Sequence, residues 1–257
     1  MYETLLYDVK DQIAAITFNR PEVGNAFSIK AFFETIDAFE HCDRDENVRV
    51  VVVTGKGKHF CAGGDVKAMA TKGYISYENA KVTAAMSAAP KKCAKPVIAM
   101  VNGMAAGAGC GLALGCDFRI MTEKSALITA FINMGLSGDS GCFYHLYNLL
   151  GLAKTIELMM LSVPIKGEEA SKLGLVTRLV AEDQLSAAAL ALAETLKAKP
   201  PLALSKQKKL IYDQFYSDYQ DYVEMEAKLF GETGETADHM EAVTAFLEKR
   251  APVFKGM

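Results

Sequence analysis

The sequence predicts an α/β protein in which a mostly parallel sheet with alternating helices is followed by a helical C-terminal region. The first observation is a set of continuous apolar runs, typical of strands buried on both faces of a sheet. Helical patterns separate these runs, as they do in βαβ units. After about residue 185, the apolar pattern is helical throughout. The four apolar runs are VRVVVVTG (48–55), PVIAMVNG (96–103), FRIMT (118–122) and LVTRLV (175–180).

The N-terminal part predicts a hairpin and a helix ahead of these strands. LLYDV (5–9) and IAAITF (13–18) flank the short polar connection KDQ, which predicts a β-hairpin. Residues 28–41 predict a helix with an apolar stripe that is typical of a core-facing side. This stripe consists of Phe32, Phe33, Ile36 and Phe39.

The C-terminal part predicts helices without a further strand. The apolar spacing is helical in three segments, 185–200, 202–215 and 243–250. We therefore divide the chain into an α/β core, residues 1–195, and a C-terminal helical region, residues 196–257.

Composition limits the classes of protein that this chain can be. Its 257 residues suffice for one large domain with a sizeable core. A net charge of -3 gives no electrostatic reason to expect a nucleic-acid partner. The six cysteines form no CxxC pair, and the N-terminus lacks the basic start and apolar core of a signal peptide. We therefore expect reduced thiols and a cytoplasmic location.

The four histidines give no reason to expect a metal site. They are far apart in the sequence, and no two are spaced three or four residues apart, as metal ligands on one helix would be. We expect His59 and His145 to be surface or partly packed polar residues.

Residues 97–116 contain no charge, and their glycines recur at every fourth position, the spacing of a transmembrane dimerisation face. Two features oppose that interpretation. Pro96 precedes the β-rich run VIAMV, and Asn102-Gly103 is a turn signal in the middle of the segment. We expect a buried strand, a glycine-rich turn and a tightly packed helix, with no membrane partner.

The segment GLSGDSGCF (135–143) places one carboxylate, Asp139, among glycines and serines. Three interpretations compete: a protease nucleophile motif around Ser140, an N-cap for the following apolar run, and a lone acid/base directed into a pocket. A chymotrypsin-like protease needs an all-β barrel pair, which the α/β pattern excludes. The cap and the acid/base interpretations both remain open from the residues alone.

Two further segments combine a buried strand, a glycine-rich turn and a helix. They are VVVTGKGKHFCAGGDV (51–66) and VIAMVNGMAAGAGCGLAL (97–114). In parallel sheets, ligands bind at the carboxyl ends of strands, where such turns lie. Two backbone N–H groups converging there would form an oxyanion hole. Simple close packing of glycines remains an equal alternative.

Several motifs in register resemble the crotonase (enoyl-CoA hydratase/isomerase) superfamily over nearly the whole chain. The matching segments are ITFNRPEVGNAFS (16–28), GKHFCAGGDV (57–66), KPVIAMVNGMAAGAGCGLALGCDFRI (95–120), EEASKLGLVTRLV (168–180) and TAFLEKRAPVFKG (244–256). The resemblance implies a crotonase-like ββα superhelix and acyl-CoA thioester substrates. It also implies a homotrimer or hexamer, with residues 196–257 as the trimerisation region. No separate cofactor is implied, because coenzyme A is part of the substrate.

The resemblance also assigns roles to residues of this sequence. The backbone N–H groups of Gly64 and Ala108 would form the oxyanion hole for a thioester enolate. The C-terminal pair Phe254 and Lys255 would reach the coenzyme A of the same or a neighbouring subunit. All substrate-binding positions that it implies are Val23, Ala26, Ala62, Gly64, Asp65, Val66, Phe131, Phe254 and Lys255.

Departures from the family pattern narrow the expected chemistry. The two glutamates that family hydratases use fall here on Gly111 and Phe131, which have no acid/base group. A third catalytic position falls on Asp139, where family isomerases carry a single carboxylate. Family dehalogenases use an Asp there together with a His, but residues 60–144 contain none. The resemblance therefore favours Asp139 as the acid/base of an isomerase.

We accordingly expect an enzyme that shifts a double bond of an acyl-CoA from the 3 to the 2 position. Hydrolysis, ring opening or hydration on the same fold is the first alternative. A catalytically silent acyl-CoA-binding protein is the second. The acyl group itself is not specified by the sequence.

Overall fold

The computed structural model describes residues 1–71 and 73–257, and its elements are numbered here in chain order. The strands are β1 (Leu5–Lys10), β2 (Ile13–Phe18), β3 (Val50–Gly55), β4 (Val97–Val101), β5 (Met104–Ala106), β6 (Phe118–Thr122), β7 (Ala126–Ile128), β8 (Ile165–Lys166) and β9 (Arg178–Val180). The helices are α1 (Ile29–Arg44), α2 (Val66–Met69), α3 (Tyr77–Lys92), α4 (Ala108–Gly115), α5 (Cys142–Leu150), α6 (Leu152–Leu161), α7 (Gly167–Lys172), α8 (Leu185–Lys197), α9 (Pro201–Phe215), α10 (Tyr219–Gly234) and α11 (Ala237–Glu248).

The main sheet has the strand order β1-β2-β3-β4-β6-β9. The β1–β2 pair is antiparallel and every other pair in this sheet is parallel. Asp11 and Gln12, which join β1 and β2, both have positive φ, as a two-residue turn of type I′ requires. The predicted hairpin and three of the four predicted buried strands, β3, β4 and β6, are therefore confirmed. In the fourth run only residues 178–180 form a strand, and this strand, β9, lies at the edge of the sheet without a buried residue.

A second sheet, β5-β7-β8, was not predicted from the sequence. Its strands are two or three residues long, too short to give a periodic pattern. Strand β5 lies inside the segment that we expected to be only a turn. It joins the two glycine-rich segments that carry candidate site residues, because Cys61 pairs with Ala105 in a parallel bridge.

Helix α1 confirms the predicted helix and extends three residues beyond it. The Ser28 side chain accepts a hydrogen bond from Ala31 N, which caps the first turn. Phe32 and Phe39 are buried, but Phe33 is 55% exposed. The assignment of Phe33 to the apolar stripe was therefore wrong, because adjacent helical positions point about 100° apart.

The C-terminal helices pack against the α/β core. Helix α8 covers one face of the main sheet, where Leu185 and Leu192 pack with Val50, Ile98 and Ile120. Helix α9 is fixed by Lys208, whose Nζ lies 2.6 Å from Asp117 Oδ2 in a buried ion pair. The expected boundary after residue 195 falls inside the last turn of α8. Helices α10 and α11 contribute to the cavity described below.

The uncharged segment 97–116 is divided among β4, β5 and α4. Across residues 1–71 and 73–257, no helix combines the length and the apolar character that crossing a membrane requires.

Candidate active site

The two glycine-rich turns lie side by side because their backbones pair. Cys61 N donates to Met104 O at 3.1 Å, and Ala106 N donates to Cys61 O at 2.9 Å. A Cβ on Gly63 would lie 2.9 Å from Ala106 O, and Gly63 has a φ of 96°. Glycine is therefore required where the turn after β3 approaches the turn before α4.

Two backbone N–H groups at this junction, those of Gly64 and Ala108, are free to bind a ligand. Ala108 is the first residue of α4, so its N–H has no partner within the helix. Among the described residues, neither N–H donates a hydrogen bond to another protein group. Both residues line the same cavity. An oxyanion hole needs two unpaired N–H donors on one cavity, so the assignment of Gly64 and Ala108 to it stays a prediction.

The cavity has a volume of about 560 Å³. Most of the predicted site residues lie on its wall, although their individual roles stay predictions. These residues are Val23, Ala26, Ala62, Gly64, Asp65, Val66, Ala108, Phe131 and Asp139. Helices α10 and α11 and the segment after α11 also contribute to the wall, through Phe230, Ala242, Phe246, Leu247, Arg250 and Pro252.

Phe254 and Lys255 lie outside this cavity. Both side chains are exposed, and Lys255 N donates to Asp238 Oδ1 at 2.7 Å, which holds the chain end against the start of α11. Within one chain, the structure therefore does not bring this pair to the other predicted site residues. Contact with the coenzyme A of a neighbouring subunit stays a prediction.

Asp139 does not cap a helix through its side chain. Helix α5 begins at Cys142, its N-cap is Gly141, and no side chain caps it. The preceding loop is tightly folded, because Gly138, Ser140 and Gly141 all have positive φ. This geometry directs the Asp139 side chain into the cavity, so the capping interpretation of the segment was wrong.

Two hydroxyl groups hold the carboxylate of Asp139. Ser140 Oγ donates to Oδ1 at 2.6 Å, and Thr83 Oγ1 of α3 donates to Oδ2 at 3.1 Å. Asp139 is only 6% exposed. Burial raises its pKa to about 6, although the two hydroxyl donors act in the opposite direction. A carboxyl group in this range can exchange a proton near neutral pH.

Gly111 is needed for this loop conformation. A Cβ at Gly111 would lie 2.6 Å from Ser140 Cβ and 2.8 Å from Ser140 O. A glutamate at this position would therefore collide with the loop that carries Asp139. The Asp139 loop occupies the space that a side chain at residue 111 would need.

Phe131 forms an apolar wall between the two parts of the site. Its ring lies 3.6 Å from the Cβ position of Gly107, in the turn before α4, and 3.6 Å from that of Gly138, beside Asp139. Met134 also lines the cavity. Phe143, four residues after Asp139, is not on the cavity wall and stacks on Tyr222 at a ring distance of 6.2 Å.

The sequence did not identify the residues that hold Asp139. Thr83 is an isolated polar residue in the alanine-rich α3, and no periodic signal distinguishes it.

His145 was expected near the surface but is completely buried, and its ring stacks on Tyr219 at 5.5 Å. That expectation was wrong because the inward face of α5 packs against the aromatic residues that follow α9.

Comparison with known proteins relates this site to one family. The sequence model of the enoyl-CoA hydratase/isomerase family matches residues 8–257. A probable enoyl-CoA hydratase of Rhodobacter capsulatus is 35% identical over 99% of both chains. The trans-2-decenoyl-(acyl-carrier-protein) isomerase of Streptococcus mutans is 29% identical, also over 99% of both chains. A crystal structure of an enoyl-CoA hydratase from Mycobacterium avium subsp. paratuberculosis covers 99% of this chain and 100% of its own, with a TM-score of 0.92 at 25% identity.

The contact between Gly111 and Ser140 is testable by a double-mutant cycle. Gly111→Ala is expected to destabilise the protein by about 1–3 kcal/mol, because its new methyl group overpacks the loop. In a Ser140→Gly background the same change is expected to cost less, since the nearest obstructing atom is then absent. Thermal unfolding of the four proteins measures the coupling. Strictly additive losses would contradict the contact.

Proposed function

The chain belongs to the enoyl-CoA hydratase/isomerase family of acyl-CoA enzymes, and on that premise we propose that it is a cofactor-independent acyl-CoA isomerase. The proposed reaction moves a carbon–carbon double bond of a 3-enoyl thioester to the 2 position. The observation that carries the proposal is that, among the described residues, one carboxyl group without a cationic or backbone partner, Asp139, lies on the same cavity wall as the two unpaired N–H groups.

Asp65 is the other carboxyl residue on the described cavity wall, and it is already engaged. One oxygen accepts from Arg20 at 3.0 Å, and the other accepts from Lys67 N at 3.2 Å at the start of α2. Asp139 has neither a cation nor a backbone donor on its side chain among the described residues. This difference leaves Asp139 as the group suited to carry a proton.

The proposed reaction begins with removal of a proton from the α-carbon by the Asp139 carboxylate. The electron pair of the broken C–H bond delocalises onto the thioester oxygen and forms a dienolate. The N–H groups of Gly64 and Ala108 stabilise the negative charge on that oxygen. The protonated Asp139 then returns the proton to the γ-carbon, which leaves the double bond between the α- and β-carbons. No atom is gained or lost, so no co-reactant is needed.

The wall around Asp139 disfavours addition of water. A hydratase of this family positions water with two carboxylates, whereas this chain has Gly111 and Phe131 at the corresponding places. Ser140 fills the space beside Gly111, and the Phe131 ring lies between Gly107 and the loop that carries Asp139. Relatives named as hydratases and as isomerases both match the chain, so this preference rests on the site and not on the names.

The acyl-CoA thioester is proposed as the partner that fills the cavity, and self-association as a homotrimer or hexamer is proposed for the chain. Apolar side chains exposed on and after α6 support self-association. They are Leu152, Ile156, Met160, Leu161 and Val163.

The Asp139→Asn variant tests the proposed acid/base role. The asparagine side chain keeps an oxygen that can accept the hydrogen bond from Ser140. Its amide can donate to the oxygen of Thr83, because the Thr83 hydroxyl can donate its own proton to Ala80 O at 2.8 Å. The fold is therefore expected to be retained. Conversion of 3-enoyl-CoA, followed by the absorbance of the conjugated thioester, is expected to fall at least ~100-fold.

The matched control is Asp65→Asn, which changes the other carboxylate on the same wall. Because asparagine caps a helix about as well as aspartate, α2 is expected to persist. The control should lose much less of its kcat than Asp139→Asn. Isomerisation at the wild-type rate by Asp139→Asn would show that Asp139 takes no part in the reaction.

The products of the wild-type protein distinguish the alternative functions. A hydroxyacyl product would identify hydration, and a free acid would identify hydrolysis. A protein that converts no acyl-CoA would be an acyl-CoA-binding protein.

Proton removal requires the ionised form of Asp139, which predicts the pH dependence. Since burial raises the pKa of Asp139 to about 6, kcat/KM is expected to fall as the pH decreases through about 6. Circular dichroism at each pH separates this titration from unfolding. An acid limb near pH 4, the ordinary range of a carboxyl group, would contradict the described environment.

Sedimentation velocity at micromolar concentration tests the proposed assembly. We expect a trimer or a dimer of trimers, because burial of the exposed apolar side chains near α6 favours association. Replacing Met160 by Glu is expected to shift the distribution towards monomer. A wild-type protein that sediments only as a monomer would contradict the proposal.

A further inference from the structure

A second buried carboxyl group, Glu226, lies behind the loop that carries Asp139. Glu226 belongs to α10 and is 8% exposed. Its Oε2 accepts from Gly141 N at 2.8 Å, and its Oε1 accepts from Tyr222 Oη at 2.9 Å. Glu226 is not among the residues that line the cavity. It therefore contacts the catalytic loop and not the space available to a substrate.

Gly141, the residue that Glu226 binds, closes the loop two positions after Asp139. It has a φ of 60°, and a Cβ on it would overlap the hydroxyl group of Tyr219. Tyr219 and Glu226 are seven residues apart on α10, so they lie on one face of the helix two turns apart. One face of α10 thus confines Gly141 by steric contact and holds it by a hydrogen bond.

We propose that Glu226 is a positioning residue, which fixes Gly141 through its hydrogen bond and thereby fixes the direction of the Asp139 carboxyl group. This inference rests on the proposed function, because it assigns Glu226 a role through the acid/base residue. A neutral Glu226 also leaves Asp139 as the single negative charge at this end of the site.

The surroundings of Glu226 favour the neutral form. The groups facing it are Asp139 of the loop, the Cys142 thiol of α5, and the Tyr219 and Tyr222 hydroxyls of its own helix. On the packed helix α3, Lys81 instead pairs with Glu224 at 3.3 Å. Burial raises the pKa of Glu226 to about 8, and the negative charge of Asp139 also raises this pKa. The hydrogen bonds from Gly141 and Tyr222 act in the opposite direction.

A neutral carboxyl group can keep both contacts if the hydrogen bond with Tyr222 reverses its direction. Its carbonyl oxygen accepts from Gly141 N, while its hydroxyl donates to Tyr222, whose oxygen can accept as well as donate. A glutamine side chain offers the same pair of functions, an acceptor oxygen and a donor amide. A leucine has a similar volume and neither function. These two substitutions separate hydrogen bonding from the filling of space.

The first test compares Glu226→Gln, Glu226→Leu and the exposed control Glu224→Gln. Relative to wild type, Glu226→Gln and the control are expected to keep kcat within about twofold and the acid limb of kcat/KM unchanged. Glu226→Leu is expected to lower kcat at least ~10-fold with little change in KM, since a small displacement of a reacting group costs much rate. Should Glu226→Leu not fold, Glu226→Asp, whose carboxyl is one methylene short of Gly141, carries the same expectation.

Two results would overturn the proposal. A folded Leu or Asp variant with the kcat and acid limb of the wild type would show that Glu226 does not position Asp139. A loss of kcat in Glu226→Gln as large as in Glu226→Leu would show that the ionised carboxylate is required.

Hydrogen exchange of the Gly141 amide tests the positioning without relying on catalysis. Protection of this amide is expected to stay native in Glu226→Gln and to fall at least ~10-fold in Glu226→Leu or Glu226→Asp. Unchanged protection in the latter variants would overturn the proposed contact. A wild-type protein without isomerase activity would contradict the proposed function, and this exchange experiment would still decide whether Glu226 fixes the loop.

Thermal unfolding across pH tests the neutral form. The pKa of Glu226 is about 8 in the folded protein and near the ordinary 4.5 when unfolded. Between these values only the folded state keeps the proton, so this group lowers stability as the pH rises. The Glu226→Gln variant lacks this titrating group, so it is expected to lose less stability than the wild type as the pH rises. The difference in Tm, variant minus wild type, is therefore expected to increase from pH 5 to pH 8. A difference independent of pH would overturn the assignment of the neutral form.

Discussion

The carboxyl group of Asp139 is buried in an apolar environment and bound by two hydroxyls, and the chemistry of the site follows from this arrangement. A buried carboxylate normally obtains a cationic partner or loses its charge. Hydroxyl donors compensate only part of the lost hydration, so the pKa is raised to about 6 by burial. The group is thus ionised near neutral pH and still able to hold a proton briefly. Asp65 differs in that its side chain pairs with Arg20 at 3.0 Å.

The surrounding fold maintains this carboxyl group at the correct place. Gly111 leaves room for Ser140, and Ser140 in turn binds Asp139. Thr83 approaches from α3, while Glu226 of α10 holds the end of the same loop at Gly141. On the opposite side, the pairing of Cys61 with β5 places the two glycine-rich turns together. Helix α10 of the C-terminal region is therefore part of the candidate site's architecture.

The sequence predicted the elements that have a repeating apolar pattern. It did not predict contacts that depend on one side chain. The hairpin, the buried strands and α1 each left a periodic signal, and the matching motifs identified Gly64, Ala108 and Asp139 as candidates. Strands β5, β7 and β8 are too short for periodicity, although β5 aligns the two turns. Thr83 and Glu226 belong to helices that are distant in sequence from Asp139. Only the tertiary packing brings them to Asp139 and to its loop. His145 was misplaced for the same reason, since polarity alone does not predict a buried ring.

The central claim is that one sheltered carboxyl group carries a proton from the α-carbon to the γ-carbon. The most direct test is a single turnover in ordinary water of a 3-enoyl-CoA that carries deuterium at the α-carbon, with the product examined by mass spectrometry and NMR. The account predicts a 2-enoyl-CoA with part of the deuterium transferred to the γ-carbon, because Asp139 is only 6% exposed and retains the label between the two steps. A product with only solvent hydrogen at the γ-carbon, or a hydroxyacyl product, would contradict it.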